Sequence, residues 1–249
     1  MANTFNPYPL IGTQLTTGLD ALAAVLTPAS TIDEFVNAIY NYVQPIYYPV
    51  SSPATVPPQI QIEIKSVVYN VINSYNNNPK SASFFYGPKQ SYFIDLLLGL
   101  KTSNSTPINA INTWLLDIED NITKDDMPIA AQTPLLLATI QATHVYAYWN
   151  TKIATPGTWA PFFQTPAALN YANIPHWLVA CVEGALIGAQ ATPRGLIQPT
   201  TEIVGVNIIS ALIGGLAIGA GKVIFKFVPR VQPANLVTNA PAGGCGCGK

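Results

Sequence analysis

Few side chains in this chain of 249 residues are equipped for chemistry. The histidines are His144 and His176, and the cysteines are Cys181, Cys245 and Cys247. Nucleophilic catalysis needs a base beside a nucleophile, and a structural metal needs about four ligands. His144 lies between Thr143 and Val145 in an apolar run and reads as a core histidine. His176 and Glu183 share a helical face, which suits an ion pair or a pH-sensitive contact. His176 and Cys181 point to different sides of that helix, which argues against a shared metal. Neither Thr143 nor Ser210 stands in a nucleophile elbow.

Five of the twelve acids crowd into residues 117–126: Asp117, Glu119, Asp120, Asp125 and Asp126. Asp117 and Asp120 are i,i+3 neighbours, a spacing that can serve a divalent cation, but the run reads first as a solvated, lysine-dotted helix end. Cys245 and Cys247 form a CxC pair on the glycine-rich end Gly243-Gly244-Cys245-Gly246-Cys247-Gly248-Lys249. Two thiolates can hold a soft metal, close a strained disulfide or crosslink chains, but they do not complete a zinc site. Cys181, between Ala180 and Val182, reads as a small core hydrophobe. The sequence contains no P-loop, GxGxxG, HExxH or EF-hand spacing. The expectation is a protein that is not an enzyme and needs no cofactor.

Composition points to a physical behaviour instead. Charged residues make up 9%, where ordinary soluble domains have about 25%. Hydrophobic residues reach 49%. So little charge leaves an apolar or uncharged exterior, suited to lipid or to copies of the same chain. A net charge of −1 argues against nucleic-acid binding through a basic face, and this hydrophobicity excludes wholesale disorder. Residues 1–190 carry six Lys against eleven acids. Residues 191–249 carry Arg194, Lys222, Lys226, Arg230 and Lys249 against Glu202. That basic, apolar end suits an anionic lipid surface, or the acidic stretch of the same chain. The N-terminus has no basic n-region, so a classical secretory signal is not expected. The protein is then either membrane-associated or secreted by another route, with a cytoplasmic location as the alternative.

The elements read as helices. Thr31 and Glu34 form a capping-box pair that opens a helix over 32–44. Five prolines in 45–58 predict an extended connection. Helical spacing of Ile64, Val67, Val68, Val71, Ile72 and Tyr75 favours a helix over 59–76. An amphipathic helix follows over 89–101. Thr106-Pro107 and Thr133-Pro134 read as starts of helices over 107–123 and 134–153. The second is apolar on nearly every face, as in a bundle centre or in lipid. Residues 155–175, broken by prolines, predict an irregular connection with a short helix. The fold class is therefore all-α: a multi-helix bundle over 1–228, with a disordered tail over 229–249.

The most informative segment is an apolar helical hairpin over 176–227, with helices expected at 176–191 and 201–227. Ile203 to Gly221 carries no charge. Gly184 and Gly188 form one small-xxx-small pair and Gly215 and Gly219 another, with Gly214 and Gly221 beside them. Glycine costs a helix about 1 kcal/mol relative to alanine, so these positions predict close approach of two backbones. In lipid, Lys222, Lys226 and Arg230 would meet headgroups while Phe225 and Phe227 anchor the interface. In water, the hairpin would be core, covered by the helices at 32–44, 89–101 and 107–123. Concealment followed by insertion is the physical design of α-helical pore-forming toxins and bacteriocins, although no family motif is present. The leading expectation is a membrane-active, pore-forming or toxin-like protein that oligomerises through these glycines. The alternatives are a soluble self-assembling structural or interaction protein, and a precursor or metal carrier acting through the CGCGK tail.

Overall fold

The computed structural model describes residues 7–47, 56–77, 86–99, 108–163, 173–191, 202–203 and 206–225. The protein is an all-α, multi-helix bundle. Among the described residues, its helices are α1 (Pro9–Val25), α2 (Ile32–Tyr47), α3 (Pro58–Asn77), α4 (Pro88–Gly99), α5 (Ile108–Lys124), α6 (Ile129–Ala154), α7 (Ile174–Gln190) and α8 (Ile208–Ile224). A 3-10 turn runs over Gly157–Phe162. A short antiparallel ladder of β1 (Glu202–Ile203) and β2 (Val206–Asn207) precedes α8.

Local chemistry explains most boundaries. The Thr31 backbone N–H donates to Glu34 Oε2 at 2.7 Å, and the Glu34 N–H returns to Thr31 Oγ1 at 3.3 Å. That reciprocal box satisfies two N–H groups that the first turn of α2 leaves open. Proline stands in the first turn of α1 and of α7, where a missing N–H costs nothing.

Several expectations are corrected. α2 continues through Pro45 to Tyr47, so the proline-rich connection begins later than the sequence suggested. α6 begins at Ile129, and Pro134 lies inside it. Two side chains hold the preceding turn and allow this early start. Asp125 Oδ1 accepts the Met127 N–H, and Gln132 Nε2 donates to the Asp125 and Met127 carbonyls. Thr133 therefore caps nothing; its hydroxyl donates back to the Ile129 carbonyl at 2.8 Å. α8 starts at Ile208, because residues 202–203 pair with 206–207. Helix α1 was not expected, although Leu15, Leu19 and Leu22 carry its helical spacing.

The core is layered. α6, α7 and α8 form the centre, and fifteen of the 17 residues of α8 are buried. α8 touches α1, α2, α3, α6 and α7. Of the three helices expected to cover the hairpin, α2 lies against α8 and α4 against α7. α5 packs on α6, as α4 also does. The amphipathic α2 turns Phe35, Val36, Ile39 and Val43 inward. Near the far end of α6, Trp149 stacks among Trp159, Phe163 and Trp177. Tyr148 donates to Asp20 Oδ1 at 2.8 Å, accepts from Trp159 Nε1, and Lys152 pairs with Asp20 at 2.7 Å. That network fastens α1 to α6.

Candidate functional site: the buried helix pair and the polar pocket at its end

α7 and α8 run antiparallel, with Gly184 opposite Gly214 and Gly188 opposite Ser210. Their backbones touch. A Cβ on Gly184 would overlap the Gly214 carbonyl, and one on Gly214 would overlap the Gly184 carbonyl. A Cβ on Gly188 would strike the Ser210 carbonyl in the same way. Glycine is needed here because any side chain would force the helices apart. The other glycines serve different neighbours. Gly219 faces Cys181, whose Sγ would lie 3.1 Å from an added Cβ. Gly215 faces the side chains of Gln141 on α6 and Leu15 on α1. Gly221 is buried in α8, and its carbonyl accepts the Phe225 N–H.

Cys181 is a core residue, fully buried, with its thiol donating toward the Gly215 carbonyl at 3.4 Å. Burial pushes that thiol far above its ordinary range, so it is not a nucleophile in the closed bundle.

The charged end of the pair builds a pocket. Tyr75, Asn173, His176, Trp177, Glu183 and Lys222 line a cavity of about 270 Å³ between α3, α7 and α8. Glu183 is 9% exposed, whereas His176 is exposed at the rim. The expected sharing of one face by His176 and Glu183 is thus realised. The Tyr75 hydroxyl donates to Glu183, and burial followed by this carboxylate's charge pushes the phenol far up. The Lys222 ammonium lies 5.3 Å from the centre of the Tyr75 ring. Carboxylate, phenol and ammonium together tie α3 to both helices of the pair. They supply charge and hydrogen bonds.

Other candidates separate. His144 is half-buried against Gly12 of α1, and burial lowers its pKa below 6.5. Lys222 sits over Tyr75 rather than at the acidic stretch. That stretch is served by other cations: Lys89 of α4 pairs with Asp125 and Asp126, and Lys124 pairs with Asp120 at 2.5 Å. Among the described residues no three His, Cys, Asp or Glu side chains are grouped to hold a metal ion. Phe225, expected as an interfacial anchor, packs edge-on against Phe35 at 5.4 Å. Lys226, Phe227, Arg230, Cys245 and Cys247 lie outside the described residues.

Gln141 was missed by sequence reasoning. It is a polar residue in the apolar centre of α6 and is 0% exposed. Its signal was a lone amide within Pro134–Ala142.

No protein-family model matches this chain, and no similar curated protein or solved structure was found.

Proposed function

We propose that the protein is a non-enzymatic, membrane-active helical protein that carries the α7–α8 pair buried and acts by delivering it to a lipid surface. The observation that supports this reading is α8 itself. It is free of charge from Ile208 to Gly221 and wrapped by five other helices. A helix apolar on every side belongs in a core or in lipid, and a released hairpin uses both in turn. The pocket around Glu183 and Lys222 is then the clasp that holds the pair closed.

Among the described residues no helix is long and apolar enough to cross a membrane. With 17 residues, α8 is about 25 Å long, short of a hydrocarbon core of about 30 Å. The reading therefore puts the pair in the interface or in a locally thinned bilayer, with Lys222 near the headgroups. Lys226, Phe227 and Arg230 follow directly in sequence and suit the same boundary. Release of a trapped dye from anionic vesicles tests the reading. Leakage at sub-micromolar protein supports it, and intact vesicles at all ratios contradict it.

A second reading is soluble assembly with copies of itself. Exposed Leu10, Val25, Ile62, Tyr92 and Ile129 favour it, as does a groove of about 690 Å³ between α1 and α2. Sedimentation velocity over a range of concentrations separates it from the first: a defined oligomer without lipid supports assembly.

A further inference from the structure

Gln141 sits at the junction of α1, α6 and α8, 0% exposed, with its amide oxygen against Gly215. Among the described residues, neither its Oε1 nor its Nε2 has a hydrogen-bond partner. Its neighbours in the same helix behave differently. The hydroxyls of Thr139 and Thr143 donate to the carbonyls of Leu135 and Thr139, at 2.8 and 3.1 Å. The missing side chain at Gly215 makes room for the Gln141 amide but offers it no bond.

A buried amide without partners is costly, and the cost is greatest in a dry, low-dielectric core. A methionine of nearly the same shape would fill this place without it. The feature therefore works against the closed bundle at the contact between α6 and α8. Once α8 leaves, the amide can reach water, lipid headgroups or another helix. In a membrane, glutamine side chains bond across helices.

We propose that Gln141 is a release element, a buried unpartnered amide set against Gly215 that favours departure of α8 from its socket. This rests on the reading that the pair is released, and it deepens that reading by naming the residue that sets the ease of opening.

The test uses full-length Cys245→Ser/Cys247→Ser protein, with Gln141→Met and Gln141→Leu introduced separately. Three quantities are read: the urea midpoint, the native labelling rate of the buried Cys181 thiol, and dye release from anionic vesicles. The first two need no lipid. We expect both variants to unfold at higher urea and label Cys181 roughly tenfold more slowly, with dye release slowed in step. Lower urea midpoints in both variants would show a satisfied amide and overturn the proposal. Unchanged labelling would overturn it too. If the parent protein releases no dye while labelling still slows, the membrane reading falls and Gln141 stands as a control on opening alone.

Discussion

Gly184 and Gly214 meet through their carbonyl groups, each occupying the place where the other's Cβ would be. The carbonyl carbon of Gly214 lies 2.8 Å from the Cβ position of Gly184, and the reverse distance is 2.7 Å. Alanine normally improves a helix by about 1 kcal/mol over glycine. Here it must push two backbones apart. Gly184→Ala and Gly214→Ala are expected to destabilise the fold by about 2–3 kcal/mol each, as overpacked cores do. Gly99→Ala, where among the described residues nothing beyond its own helix backbone and chain neighbours lies within 4 Å of the added Cβ, should be neutral or slightly stabilising. Urea denaturation of the three variants checks the contrast, and equal effects at all three positions would contradict the close approach.

The clasp makes a second prediction. Tyr75→Phe removes the hydroxyl that donates to the buried Glu183 carboxylate. The expected cost is about 1–3 kcal/mol, since a buried acceptor loses its donor. Glu183→Gln should make the loss at Tyr75 smaller, so a double-mutant cycle should show coupling. Additive effects would separate the two residues.

Acidification should loosen the bundle through His144. Burial lowers its pKa in the folded chain, whereas the unfolded chain takes up the proton near pH 6.5. In that window unfolding binds a proton, so stability falls as the pH drops through 6.5. The slope from one such group is at most about 1.4 kcal/mol per pH unit. His144→Gln should flatten the difference in urea midpoint between about pH 7.5 and about pH 5.5. An unaltered pH dependence in this variant would remove His144 from the account.

Cys181 should resist thiol reagents while the protein is closed. It is fully buried on the α7–α8 seam, and its pKa is pushed up. In a Cys245→Ser/Cys247→Ser background, labelling is expected only at the rate of opening, and immediately in denaturant. Rapid native labelling would mean that the seam is already open.

The all-α class and most helices were legible because hydrophobic spacing and capping act locally. The capping box at Thr31 and Glu34 forms as spelled. Glycine spacing also announced the close approach of two backbones. It could not assign partners: Gly214 meets Gly184, but Gly215 meets Gln141 and Gly219 meets Cys181. Thr133-Pro134 misled, because Asp125 and Gln132 stabilise an earlier start by hydrogen bonds that hold the turn before Ile129. The charge-free stretch from Ile203 looked like one long helix, but backbone pairing of 202–203 with 206–207 shortened it. Tyr75 joined Glu183 and Lys222 only through tertiary packing, which no spacing rule reports.

The most direct measurement is flotation of the full-length protein with anionic and neutral vesicles on a density gradient. Release of the α7–α8 pair predicts that the protein rises with the anionic vesicles, more so below about pH 6.5, as loss of His144-dependent stability requires. Protein that stays at the bottom with both vesicle types at every pH, Cys181 still protected, would contradict the account.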